Sequence, residues 1–204
     1  MYAIVENNEI TKIITQPQSV VIGDVRYPAQ VFFKWSKAEK EAVGIYEVVT
    51  DSTNLKDTEY YVNTNEQFNF ANNVVTRSWG TATAKQLDDS LWTQQDSDDG
   101  LLPSDKEVGD VKVEGLKTIK KRMIKQQASG ILTPSDWIII RAKETATNIP
   151  SATKTWRASV RTKSNEMETA IDGAADVDAL KALFTYTEQE DGTVTRPLGE
   201  FPEE

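Results

Sequence analysis

Asp96, Asp98 and Asp99, followed by Gly100, are spaced like the start of a calcium-binding loop, and Glu107 falls at the twelfth position, where such a loop needs a bidentate carboxylate. The sixth position needs glycine for its sharp turn, but Leu101 stands there and Gly100 is one place early. The stretch reads better as a solvated acidic linker. Other chemistry is limited by what is missing, since the chain has neither cysteine nor histidine. That removes disulfides, thiolate metal sites, the usual metal ligand, the usual general base near neutral pH, and both Ser-His and Cys-His nucleophile pairs. No glycine-rich phosphate loop, paired-carboxylate motif or nucleophile elbow stands out. The expectation is a protein that is not an enzyme, with no catalytic, metal or cofactor residues.

The remaining candidates are cations. Lys117, Lys120, Lys121, Arg122 and Lys125 form a basic stretch with little aromatic interleaving, which offers single-stranded nucleic acid no stacking surface. Arg157 and Arg161, one helical turn apart, could clamp a partner's carboxylate or pair with Glu168 or the acidic tail. Lys117, Lys121, Lys125, Arg157 and Arg161 are therefore the candidate partner-binding residues. From Leu116 to Asn165 eleven Lys and Arg stand against only Asp136 and Glu144, a net +9 in a chain of −9, so the remainder carries −18. Either acidic segments dock on the basic helices, or those helices face an acidic partner. Nucleic acid is not an expected partner, because the acidic majority would repel phosphate.

The elements that must position these cations are helical. Leu116, Ile119 and Met123, with Ile124 and Gln127 beside them, predict an amphipathic helix that starts near Val108 or Val111 and stops at Gly130. Thr133 is placed to cap a second helix with Pro134 at its first position. Trp137, Ile138, Ile139 and Ile140 are apolar all round, which predicts burial on more than one side. A third helix should run from Pro150 or Ser151 to about Asp172, with Trp156, Val160, Met167 and Ile171 as its inner stripe. Trp137, Trp156 and Val160 are the expected structural anchors. A short fourth helix over residues 176–184 follows, expected to lie across the bundle through Val177, Leu180 and Phe184. The tail, 188–204, is acidic and interrupted by Gly192, Pro197, Gly199 and Pro202. It should be extended, and if ordered it should rest on a partner chain.

Upstream, the signals are those of strands. Glu6-Asn7-Asn8-Glu9, Gly23-Asp24 and Asn72-Asn73 mark three hairpins, since Asn and Gly tolerate the left-handed backbone of tight turns. Phe68 and Phe70 share one strand face, as do Val75, Arg77 and Trp79. The run through Val31, Phe32 and Phe33 reads as strand. Ser36 and Glu39 have capping-box spacing for one short helix, which Gly44 ends, and a strand from Ile45 follows. Apolar density falls from Gln94 to Asp110, where Asp, Ser, Gly and Pro gather, so the domain boundary is expected near residue 100. The reading is an α+β chain: a small antiparallel β-rich domain over 1–100, a three-to-four-helix bundle over 101–187, and the acidic tail. At 204 residues, 38% apolar and 27% charged, the chain is long enough for two small cores. It has no run of about 18 apolar residues to cross a bilayer. Its first residues lack the basic and apolar regions of a secretion signal, so neither membrane association nor export by that route is expected.

Two segments together resemble a known family. Leu132-Thr133-Pro134-Ser135-Asp136-Trp137, followed by Trp156-Arg157-Ala158-Ser159-Val160-Arg161, resembles the carboxy-terminal signature of the tail fibre assembly proteins of tailed bacteriophages. There an S/T-D-W step precedes a W-x-x-Y-R-x-x-L-R-like helix. Here Thr153 takes the place of the leading tryptophan, Trp156 stands for the tyrosine and Val160 for the leucine. The 176–180 stretch fits the same region. The amino-terminal segment IGDVRYPAQVFFKWSKAEKEAVGIYEVV is similar to a module of many phage structural proteins. The resemblance implies a non-enzymatic phage protein, acting as an assembly chaperone or a retained virion part, in the virion tail or in the host cytoplasm during assembly. The implied partners are tail fibre or other tail proteins, and copies of itself. An adaptor joining tail, neck or baseplate to fibres is the alternative. From another class, a carboxylate-dependent glycan hydrolase would need two acids about 5 to 10 Å apart in a cleft.

Overall fold

Paired asparagines shape the first part of the chain. In the computed structural model, which describes residues 1–203, Asn7 and Asn8 have φ of 53° and 64°, the backbone of a two-residue hairpin turn. They join β1 (Tyr2–Glu6) to β2 (Glu9–Ile14). β3 (Val20–Ile22) and β4 (Val25–Tyr27) form a second hairpin about Gly23-Asp24. The expected strand through Val31 is instead a single helical turn, α1 (Val31–Lys34), in which the Val31 amide donates to the Pro28 carbonyl. A strand would have put Val31 and Phe33 on one face; the turn buries Val31 with Phe32 and leaves Phe33 exposed. α2 (Lys37–Ala42) has the predicted capping box: the Glu39 amide donates to Ser36 Oγ, and the Ser36 amide donates back to Glu39. Gly44 then takes a φ of 87°, and any Cβ there would lie 2.5 Å from the Val5 carbonyl oxygen.

β5 (Ile45–Thr50), β6 (Tyr61–Val62), β7 (Gln67–Ala71), β8 (Val74–Ser78) and β9 (Thr83–Ala84) complete this unit. The main sheet has the order β2-β1-β5-β8-β7, and its outer strands β2 and β7 approach each other, so it is curled. It is not wholly antiparallel as expected: β5 and β8 run parallel, with Val48 opposite Val75. The long connection between them returns the chain to the same end, while Asn72 and Asn73 keep β7 and β8 a hairpin. The strand period puts Ile4 in one core with Ile14, Val31, Phe32 and Ile45, and puts Ala3 and Val5 in another with Val75.

The chain divides into two compact units between Ala84 and Lys85, not near residue 100. The reason lies in hydrogen bonding. The second unit contains β10 (Ser90–Leu91), α3 (Gln94–Asp98) and β11 (Val111–Val113), the last paired with β10, then α4 (Leu116–Leu132). The amides that open α4 find acceptors upstream: Leu116 on the Gln86 carbonyl and Lys117 on the Leu87 carbonyl. Asp89 accepts from the Gly115 amide at 2.6 Å and from the Thr118 hydroxyl at 2.9 Å. A carboxylate at a helix's positive end is also favoured electrostatically. The first residues of the stretch read as a linker, Gln94 to Asp110, form a capped helix, α3, whose Thr93 and Asp96 bond reciprocally.

The buried stripe of α4 is Leu116, Lys120, Ile124 and Ala128, at i+4 steps, rather than the expected Leu116, Ile119, Met123; Ile119 is exposed. The Lys120 stem lies in the stripe and its ammonium sits 4.4 Å from the Phe184 ring centroid, so charge type alone misplaces the face. Gly130 lies inside the helix, and the break comes at a 3-10 turn, Thr133–Ser135, where Pro134 supplies no amide hydrogen. Thr133 does not cap the next helix; its hydroxyl donates back to the Ser129 carbonyl. α5 (Asp136–Thr145), α6 (Ser151–Asp172) and α7 (Val177–Phe184) follow. α6 and α7 match the predicted spans closely. α4 packs along α6, which also meets α7. The tail forms a small hairpin, β12 (Thr187–Glu188) with β13 (Val194–Thr195), then buries Leu198. The Leu198 amide donates to the Leu183 carbonyl, so the tail packs on the helices of its own unit. No helix among the described residues is long and apolar enough to cross a membrane.

Candidate functional site

An open groove of about 470 Å³ runs between α4 and α6 and brings together three of the five predicted partner-binding residues, Lys125, Arg157 and Arg161. α6 presents its two arginines one turn apart because Val160, Met167 and Ile171 lock its inner side; the first and last of these are fully buried. Arg157 is buried and committed. Its guanidinium donates to the Leu132 carbonyl at 2.8 Å, to the Ser135 hydroxyl, and to Asp136 Oδ1 at 2.6 Å. It thus pairs with neither Glu168 nor the acidic tail. Arg161 is exposed, and its one hydrogen bond is a long 3.4 Å contact to the Arg157 carbonyl. The pair does not act as one clamp: the first arginine fastens the 3-10 turn to α6, and the second faces the groove.

Lys117 and Lys121 lie outside the groove's lining. Lys117 pairs with Asp88 at 3.0 Å, and Lys121 with Asp172 at 2.7 Å. Asp172 holds the Lys121 ammonium above the usual lysine range. Arg122 makes a two-pronged pair with Glu114. Lys125 reaches Glu168 at 3.1 Å but stays largely exposed at the groove's edge. The charge asymmetry of the sequence is therefore met in large part inside the second unit, by acidic groups docking on the basic helix. Lys125, paired with Glu168, and Arg161, which pairs with no acid among the described residues, are the groove's outward cations, while Asp136 is taken by Arg157, so the surface suits a polar or anionic group.

Of the expected anchors, Val160 is fully buried. Trp156 is half-buried and holds the tail, its indole N–H donating to the Pro202 carbonyl at 3.2 Å. Trp137 is the correction: it is 57% exposed, Ile140 beside it is 58% exposed, and α5 buries no residue. An apolar run implies burial only where another element covers it, and α5 is covered on one side at most. The sequence reading also missed Ser135 and the Leu132 carbonyl as the seat of Arg157. The turn signal of Pro134 next to a short hydroxyl side chain was their available marker.

The calcium-like acids do not converge. Asp96 binds Lys112 and caps α3, Asp98 accepts from Gln94, and Asp99 accepts from Gln95. Lys112 and the Thr93 bonds hold the Asp96 carboxyl down at about 2. Among the described residues no three acids gather where they could hold a metal ion. No protein-family model matches this chain, and no curated protein or solved structure matches it.

Proposed function

We propose that the chain is a non-catalytic docking protein, a structural or assembly protein associated with the tail fibres of a tailed bacteriophage. The observation that carries this reading is the joint at Arg157. The two segments on which the phage resemblance rests, 132–137 and 156–161, are separate in sequence, and Arg157 ties the second to Leu132, Ser135 and Asp136 of the first. A signature whose halves meet in space has a physical reason to occur as a pair. We read α4 to α7 as a three-to-four-helix bundle whose groove offers Arg161 and Lys125 to a fibre or other tail protein, in the virion tail or in the host cytoplasm during assembly. Asp136 and Glu168 share that groove, but Arg157 engages one and Lys125 the other, so neither is offered to a glycan as a free acid.

Affinity capture of the tagged chain from phage-producing cells should recover a fibre or tail protein, and the double variant Lys125→Glu, Arg161→Glu should lose it. Mass spectrometry of purified virions then separates a retained part, present in several copies, from an assembly factor that is absent. Capture of no tail protein, with none of the chain in virions, would overturn the reading.

A further inference from the structure

α5 carries an apolar surface with unanswered charge around it. Trp137 and Ile140 are three residues apart on its outer stripe, each more than half exposed, and Arg141 continues that stripe one turn beyond the tryptophan. Arg141, Lys143 and Lys154 form no ion pair with any described residue, whereas Lys117, Lys121, Arg122 and Lys125 of α4 all do. The helix ends at Ala146, whose φ of 51° turns the chain sharply. Thr147 and Asn148 then line two recesses, one on either side of the helix. One, of about 300 Å³, includes Trp137, Arg141 and Pro150; the other, of about 570 Å³, includes Ile139, Lys143 and Lys154. Singly exposed apolar residues are ordinary; here a tryptophan and an isoleucine adjoin on one helix stripe with unpaired cations beside them, a surface suited to docking.

We infer that the outer face of α5 docks an acidic amphipathic helix of a partner protein. The partner's apolar stripe covers Trp137 and Ile140, and its carboxylates meet Arg141 on one side and Lys143 with Lys154 on the other. An anionic bilayer would supply the same two chemistries. However, the recesses fit side chains rather than a flat surface, and three cations fall short of the cluster of about four to eight basic residues that an anionic leaflet calls for. The inference does not require the partner to be a fibre protein, and it concerns a different surface from the Arg161 groove.

The test uses a synthetic peptide of about 18 residues, above the length at which isolated helices are marginal in water, with a leucine stripe, glutamates flanking it and alanine elsewhere. Titrated into the full chain by calorimetry, it should bind in the micromolar range. Trp137→Ala, and separately the double variant Arg141→Glu, Lys143→Glu, should each weaken binding by about tenfold or more. Both should melt with the unsubstituted protein, because these side chains are exposed. A matched peptide with lysines in place of the glutamates should not bind. Binding of neither peptide, equal binding of both, or undiminished binding by the variants would overturn the inference. So would stronger partition onto phosphatidylglycerol vesicles, or self-association of the chain that Trp137→Ala abolishes. None of these outcomes alters the virion measurement, so the two readings fail separately.

Discussion

α4 and α5 follow one another, both carry cations, and they present contrasting surfaces. α4 buries a continuous stripe and answers its charges from within: Asp88, Glu114, Glu168 and Asp172 each take one of its lysines or its arginine. α5 has no fully buried residue, shows Trp137 and Ile140 to solvent, and leaves Arg141 and Lys143 with no ion pair among the described residues. The denser charge run is the internally satisfied one. Density of charge therefore locates a binding face poorly; charge that the fold leaves unanswered, beside apolar area that it leaves uncovered, locates it better.

The largest test of that contrast is a pair of truncations. Ile124→Ala, in the fully buried stripe of α4, should lower unfolding free energy by about 2 to 5 kcal/mol in denaturant titration. Ile140→Ala on α5 should change it by less than about 0.5 kcal/mol, and comparable losses at the two sites would break the comparison. Next come the two arginines of α6. Arg157→Ala should cost about 1.5 to 3 kcal/mol by removing charged hydrogen bonds to Asp136, Ser135 and the Leu132 carbonyl. Arg161→Ala should melt like the unsubstituted chain, and a melting loss there as large as at Arg157 would mean that it too is structural.

The smallest effect concerns acid. Asp96 titrates at about 2 when folded against an ordinary 3.8, so its pairing with Lys112 is fully present above the higher value and is lost as pH falls through the lower. Lys112 lies over the Trp92 ring, 4.6 Å from its centroid, so Trp92 fluorescence should change across that window. Asp96→Asn should remove the step, and its survival would assign the step to another group.

What was legible in the sequence had its cause close at hand. The Ser36 and Glu39 capping box, the Asn7-Asn8 and Asn72-Asn73 turns, the α6 span and the Asp176 cap of α7 each depend on partners within a few residues. What was illegible depends on distant ones. The face of α4 is set by Phe184 receiving Lys120, and the unit boundary by carbonyls at Gln86 and Leu87. The parallel β5–β8 pair follows from a long return. Within the site, Arg157 and Arg161, one turn apart in the sequence, line the same groove, but nothing in the sequence connected Lys125 to them. The division of labour between the arginines turns on Ser135 and Asp136, which no helical period connects to them. Trp137 was misread because hydrophobicity reports the tendency to be covered, not the presence of a cover.

The acceptors that begin α4 have a practical consequence for dissecting the protein. A fragment cut in the aspartate-rich stretch would keep every turn of the helix but discard Gln86, Leu87 and Asp89, leaving its leading amides to water. One cut before Lys85 would travel with its own starting clamp. The instructions for opening this helix are thus written well ahead of it, and any recombination of the helical unit onto another scaffold has to carry that preface along.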